Sequence, residues 1–458
     1  MSDINRISPL LILLFFLVYG ISACSDAPSE DEISLSEPIL LSDNGGWCWF
    51  QGPRIVTDGE YVLIGSVAIG DEGDERRGNV DAIVYHPESG EMFTSTLSEN
   101  LQANDHATPG FLLRPDGRWL AVYTRHGNDN FLLYRISEPG DPSQWSEEQQ
   151  YIPSEETRIT YTNLYMMEEE DGRIYNFFRG LDNSWKPSFV YSDDLGESWQ
   201  TGNIFIEVPT EERHRPYVIY TDNGHDTIHM SYTEGHPRNY NNSIYHIYYR
   251  DGMLHQSDGA EITSLEEGLE MPEEGTLVYE GSADSVHWTT DLVLDDDEFP
   301  RMVFSTKRND TELGQVEDGN DQRYHYARWD GGQWHVHEIA YAGTSLYPGE
   351  YEYTGLAAID PRNPDVVYIS ADADPVTNEP LISEATGNRQ YELFRGETTD
   401  GGETWQWNAI TENSSADNLR PVAVQLSDNQ TFLAWLHGEY RTYTDYTQEV
   451  LGLVVSHK

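Results

Sequence analysis

The stretch Asp105-His106-Ala107-Thr108-Pro109-Gly110, running on through Phe111-Leu112-Leu113, Asp116-Gly117 and Trp119-Leu120-Ala121-Val122-Tyr123 to Thr124-Arg125-His126, decides how the chain is read. It is a polar lead-in, an apolar strand, an Asp-Gly turn, a second apolar strand and a basic exit. An antiparallel hairpin returns its chain to the edge where it began, so His106 and His126 are expected at one end of one hairpin. The pattern recurs. Trp49-Phe50-Gln51-Gly52-Pro53-Arg54 precedes a turn at Asp58-Gly59, and Thr160-Tyr161-Thr162-Asn163 runs through Asp171-Gly172 to Phe178-Arg179. His214-Arg215-Pro216-Tyr217 passes Asn223-Gly224 and ends at His236, and His287-Trp288-Thr289-Thr290 returns at Thr306-Lys307-Arg308. Glu352-Tyr353-Thr354-Gly355 and Asn418-Leu419-Arg420-Pro421 open two more.

Seven copies spaced roughly 55 to 75 residues apart have the period of propeller blades. The expected fold is all-β, a seven-bladed β-propeller of four-stranded antiparallel blades. A β-sandwich whose hairpins match by chance is the plain alternative, and matches in phase along the whole chain disfavour it. Outer strands follow each hairpin, and Ser192-Asp193-Asp194-Leu195-Gly196-Glu197-Ser198-Trp199 and Thr398 to Trp405 fit an Asp-box turn between them. There an aspartate accepts backbone N–H groups and a tryptophan packs between sheets. The seventh unit is one strand short, and Pro38-Ile39-Leu40-Leu41 is expected to supply it and close the ring.

Ahead of the repeats, Arg6, the apolar run from Pro9 to Tyr19 and Gly20-Ile21-Ser22-Ala23-Cys24 read as a secretory signal, too short in its apolar core for a membrane span. The small residues before Cys24 resemble a bacterial lipobox. Residues 1–24 are therefore expected as a lipoprotein-type signal with Cys24 lipidated, 25–37 as an acidic tether and 38–458 as the propeller catalytic domain. That predicts an exported, cell-surface or outer-membrane lipoprotein. Cys48 is then the one remaining cysteine, which excludes an intramolecular disulfide, and its aromatic setting suggests a buried thiol.

The chain carries 80 acidic against 27 basic residues, a formal net charge of −53. Such a surface suits a saline habitat and opposes nucleic acid as a partner. Against that background the lead-ins and exits of the inner hairpins collect Arg54, His106, Arg125, His126, Tyr161, Arg179, His214, Arg215, His236, Arg238, His287, Lys307, Arg308, Tyr353, Arg420 and His437. Inner strands of a propeller run in one sense, so these positions should ring one mouth of the channel. A cationic mouth on an acidic body implies an anionic ligand, with Arg125, Arg179, His214, His287 and Arg420 as expected binding groups. Pairing of the arginines with nearby acids such as Asp105, Asp129 and Glu234 is the bland reading, and it leaves the histidines and tyrosines unexplained. Arginine, histidine and tyrosine without an obvious carboxylate pair suit removal of a proton next to a carboxylate.

Gly46-Trp47-Cys48-Trp49-Phe50-Gln51-Gly52-Pro53-Arg54, Asp105 to Gly110, Tyr123 to His126, His214-Arg215-Pro216-Tyr217 and Thr233-Glu234-Gly235-His236-Pro237-Arg238 resemble the BNR-repeat propellers, and within them the ulvan lyases of polysaccharide lyase families 24 and 25. The resemblance covers nearly all of the mature chain. It implies β-elimination at a uronic acid in ulvan, an anionic algal polysaccharide, leaving an unsaturated uronyl end. It implies His106 and His126 as the paired histidines of the site, Tyr161 (or the nearby Tyr165) as proton carrier, and Arg215 on the uronate carboxylate with Arg179 beside it. The family's structural zinc would fall to His236, His246 and His255, on consecutive strands of one blade, although the cysteine such sites use is absent there. No organic cofactor is implied, and a monomer is expected. A sialidase-like hydrolase, with Arg54, Arg215 and Arg420 around a carboxylate, and a non-catalytic surface glycan-binding lipoprotein are the competing expectations.

Overall fold

The computed structural model describes residues 33–457 apart from 71–72, 156, 182–184, 208–214 and 310–320. The expected signal with Cys24, most of the expected tether, and His214 lie outside the described residues. Among the described residues no helix is long and apolar enough to cross a membrane.

Turn chemistry sets each inner hairpin. Strand Gly110–Leu113 pairs with Trp119–Tyr123, Gly110 opposite Val122, and the chain reverses where Gly117 takes a φ of +76°, a conformation that strains a residue with a Cβ. Repetition of this unit makes seven antiparallel sheets. Blade one runs from Ile55–Thr57 outward to Glu91–Ser98, blade two from Gly110–Leu113 to Asp141–Trp145, and blade three from Thr160–Met167 to Gln200–Ile204. Blade four runs from Val218–Asp222 to Glu261–Ser264, blade five from Ser285–Leu294 to Trp334–Gly343, and blade six from Ala357–Ile359 to Gln406–Ala409.

Blade seven holds Asp417–Ser427, Gln430–Thr442 and Asp445–Ser456, and the strand Ile39–Ser42 pairs with the last of these, Ile39 opposite Gly452. The ring is thus closed by the strand the sequence offered. Ser34–Leu35, at the end of the segment read as a tether, also pairs with that strand, Ser34 opposite Ser456. Blades two and four depart from four strands: blade two has five, with Gln149–Tyr151 added, and blade four has six, with Glu261–Ser264 and Thr276–Tyr279 added.

The two Asp-box turns are built as their composition requires. Asp194 accepts the Ser198 N–H at 2.8 Å and its hydroxyl at 2.6 Å, and Asp400 accepts from Thr404 at 2.9 and 2.6 Å. Ser192 pairs with Ile174, whereas Arg179 at the other end of that strand pairs with Pro187. The first turn therefore lies away from the end of the blade that carries Arg179.

The centre of the ring is not an open channel. Residues 46–54, expected as the lead-in of blade one, cross the axis and touch every blade. Val67 N–H donates to the Gly46 carbonyl in blade one, and Gln51 Nε2 donates to the His106 carbonyl of blade two. Gly52 N–H donates to the Thr162 carbonyl in blade three at 3.1 Å, and Phe50 packs on Tyr217 of blade four at 4.8 Å. Trp49 Nε1 donates to the Thr289 carbonyl of blade five and its ring meets Tyr353 of blade six edge-on at 5.2 Å. Trp47 Nε1 donates to the Arg420 carbonyl of blade seven at 3.2 Å. Trp47, Cys48, Trp49 and Phe50 are all buried. This aromatic plug separates a mouth containing His106 from a cavity of about 260 Å³ on the far side, lined by Arg54, Tyr165, Asp222 and Asp291 among others.

Candidate active site

The hairpin of blade two brings His106 and His126 together as its geometry requires. Their imidazoles stack at 4.1 Å with planes 11° apart. His106 sits in a single helical turn, Asp105–Ala107, whose first N–H groups need an acceptor. Asn104 supplies it, accepting the His106 N–H at 3.0 Å, while its amide nitrogen lies 3.2 Å from His126 Nδ1. An amide N–H donated there fixes His126 as the tautomer with its proton on Nε2.

Beneath the pair lies a buried ionic chain. His106 Nδ1 donates to Asp105 Oδ1 at 2.5 Å, and Asp105 Oδ2 accepts from Arg420 Nη1 at 2.6 Å and from the Tyr440 hydroxyl at 2.7 Å. Burial opposes the charge on His106, but Cys48 and Asp105 outweigh it and raise the imidazole, to about 10. Burial likewise opposes the Asp105 carboxylate, and Arg420 and His106 hold it well below the usual range. His126 is the reverse case, pushed down by burial, by His106 and by Arg179. One ring is a buried cation and the other a neutral donor.

Opposite them, blades three and four contribute two tyrosines and two arginines. Tyr161, at a φ of +69°, stacks 5.5 Å from His106. The Arg179 guanidinium lies 4.9 Å from the Tyr161 ring centre and 4.4 Å from that of Tyr217. Arg179 is buried, and its Nε and Nη1 have no hydrogen-bond partner among the described residues; Nε of Arg215 is in the same state. Burial raises Tyr161 well above the ordinary phenol value, against the pull of Arg179. Burial acts on Tyr217 in the same direction, yet Arg179 and Arg215 outweigh it and bring that phenol below its ordinary value. A buried guanidinium with no carboxylate beside it among the described residues, flanked by one phenol held neutral and another eased toward phenolate, has the chemistry to receive an anion between two proton carriers.

Several expected residues stand elsewhere. Tyr165 faces the far cavity and donates to the Tyr220 carbonyl at 3.0 Å, so of the two tyrosines it is Tyr161 that meets the histidines. Arg125 is held in a two-pronged ion pair with Asp129 four residues on. His287 is fully buried, its nitrogens engaged by Thr306 Oγ1 at 2.8 Å and the Glu280 carbonyl at 3.2 Å; side chains alternate along a strand, and Trp288 takes the inward direction instead. Arg420 lies under the site as the partner of Asp105, with its guanidinium over Tyr440. Arg54 turns its Nη1 onto the carbonyls of Trp49 and Gln51.

The residues expected for zinc do not fit it. His236 is at the mouth, edge-on to Tyr217 and 3.9 Å from Glu350. His246 lies between His229 at 3.1 Å and Ser257 at 2.8 Å. His255 stacks on Tyr248 at 4.8 Å. Metal-ligating spacing among the described residues occurs at Cys48, Asp105 and His106, where the Arg420 cation already occupies the carboxylate and opposes a second cation.

Four contributors went unassigned in the sequence. Tyr217 stood inside a quoted motif, and Asn104 and Asp105 adjoin His106, so local inspection could have found them. Tyr443, edge-on to both histidines at 5.2 and 5.6 Å, carries no local signal.

A model of the BNR repeat-containing family matches residues 78–342. No curated protein matches the sequence at a significant level. Among solved structures, a PL25 ulvan lyase shares the fold with a TM-score of 0.63 at 15% identity, covering 91% of this chain and 95% of that one. A PL25 ulvan lyase bound to -[GlcA(1-4)Rha3S]- gives 0.62 at 16% over the same shares. An α-L-arabinofuranosidase from Fusarium graminearum gives 0.44 at 11%, covering 76% and 91%.

Proposed function

The chain belongs to the BNR repeat-containing family, and from that premise we propose that it is a polysaccharide lyase that cleaves ulvan by β-elimination at a uronic acid. The observation that carries this reading is Arg179, buried between Tyr161 and Tyr217 without an acid partner among the described residues. A sialidase-like hydrolase would use an arginine triad, but Arg54 and Arg420 are committed to plug carbonyls and to Asp105. The ulvan lyase with its bound uronate-rhamnose sulfate unit supports the choice of polymer.

In the reaction the Arg179 guanidinium, with Arg215 beside it, binds the uronate carboxylate and stabilises the charge that gathers there as the C5 proton leaves. Tyr217, already eased toward phenolate, takes that proton. The electron pair of the C5–H bond becomes the C4–C5 double bond, and the C4–O bond breaks. Tyr161, kept protonated by burial, gives its proton to the departing oxygen. His126 offers its Nε2–H to the substrate, and the His106 cation beneath favours negative charge at the mouth. Arg215, expected as the main carboxylate ligand, becomes the second one.

The test is Arg179→Ala on the mature chain mixed with ulvan, following the ultraviolet absorbance of the unsaturated product. A loss of roughly 10²–10³-fold in turnover is expected; unchanged turnover overturns the assignment.

A further inference from the structure

Blade six carries a cavity of about 340 Å³ that shares no residue with the mouth. The segment joining its strands Val366–Ala371 and Glu392–Glu397 doubles back twice, with Ala373 opposite Pro380 and Ile382 opposite Arg389. The outermost strand, Gln406–Ala409, forms the facing wall.

Trp407 is the centre of that wall. It pairs across the sheet with Gly396, where a Cβ would stand 2.5 Å from the indole Cζ3. The absence of a side chain lets the ring close onto the backbone of its neighbour, and the indole lines the cavity. Its Nε1–H donates to no group among the described residues, whereas the indole of Trp405 is tied to the Gly402 carbonyl at 3.0 Å. The rim is formed by Val376 and Ile382, 69% and 56% exposed, the two most exposed large apolar side chains among the described residues. The ionisable lining is all acidic, Asp374, Glu392 and Glu412, with no lysine, arginine or histidine. Glu392 is spent on Ser414 and Asn418 and Asp374 Oδ1 on the Val376 and Thr377 N–H groups, which leaves Glu412 and the second oxygen of Asp374 at the edge to accept hydroxyl groups.

A tryptophan face, an apolar rim and acid acceptors define a ligand with one apolar face and several hydroxyls. The acids repel an anion, so the ligand is uncharged. We propose that this cavity is a second carbohydrate-binding site that holds a neutral sugar unit with its apolar face on Trp407. It is separate from the elimination site and takes from the proposed function only that the protein meets a polysaccharide.

The experiment is saturation-transfer NMR on the mature chain with L-rhamnose and with D-glucuronate, comparing wild type, Trp407→Ala and, in case that variant fails to fold, Val376→Asp on the exposed rim. Transfer to L-rhamnose that falls at least tenfold in Trp407→Ala and clearly in Val376→Asp is expected. D-Glucuronate transfer is expected to be the same in all three proteins. No transfer to L-rhamnose, or transfer indifferent to both substitutions, overturns the proposal. The readout is binding, so it stands or falls independently of any cleavage.

Discussion

The imidazoles of His106 and His126 lie parallel 4.1 Å apart, yet only His106 has a carboxylate in contact, Asp105 Oδ1 at 2.5 Å. Two like side chains, stacked, are thereby assigned different charges by their neighbours, Cys48 and Asp105 raising the inner one. The cation is the inner ring, which is the harder place to keep one, and Asp105 is what makes that arrangement stable.

Asp105→Asn should therefore act on both stability and chemistry. It leaves Arg420 and His106 buried without a counter-charge, which costs about 3–5 kcal/mol, read as a lower Tm. The His106 imidazole would lose the raising influence of Asp105, and its lowering influence on Tyr217 would weaken. The alkaline-rising limb of kcat/KM should move to higher pH, a shift that loss of stability alone does not produce.

The same group gives a pH dependence of folding. The folded value of His106 is raised, to about 10, above its ordinary 6.5. Its stabilising contribution is complete below about 6.5 and is lost as pH climbs toward 10. Cys48, Asp105, His126, Tyr161 and Tyr443 surround the ring, so the contribution is isolated by difference. The stability gap between wild type and His106→Gln should be largest in mild acid and shrink through the alkaline range; a gap that widens with pH contradicts this.

Tyr217 and Tyr161 are expected to separate in kinetics. Tyr217→Phe removes the base and should lower kcat by roughly 10²–10⁴-fold at every pH. Tyr161→Phe should spare cleavage of a substrate whose leaving group needs no proton, such as a uronate carrying a nitrophenoxy group at C4, while slowing the polymer. Measuring both variants on both substrates distinguishes the roles.

The plug should matter to the whole ring. Trp49 touches Trp288 and Tyr353 edge-on and donates to Thr289, so Trp49→Ala removes contacts shared by two blades. A loss of about 3–5 kcal/mol is expected, visible as a lower midpoint of denaturant unfolding.

What the sequence disclosed was local and periodic. Asp-Gly or Asn-Gly turns between apolar strands marked four of the seven hairpins and in-phase lead-ins marked the rest, and the apolar Ile39 to Leu41 matched the gap in blade seven, so architecture and closure could be read. The pairing of His106 with His126 followed from one hairpin. Residues 46–54 have the composition of an inner strand, and nothing local reveals that they cross the axis; Trp47 and Arg420 are 373 positions apart. Arg125 was misassigned because Asp129, four residues on, outcompetes any ligand. His287 was misassigned because register, not position along the repeat, decides which side chain faces inward. Its neighbour Trp288 faces inward in its place.

The central claim is that the glycosidic bond is broken by elimination. It is tested most directly by digesting ulvan with the mature protein in ¹⁸O-enriched water and weighing the products. Elimination takes no oxygen from solvent, so products reduced with borohydride at once, before the new hemiacetal exchanges its oxygen, should carry no ¹⁸O and include a chain end lighter by one water than the hydrolytic equivalent. One ¹⁸O per cleavage would mean hydrolysis, and the account of Arg179, Tyr161 and Tyr217 would fail with it.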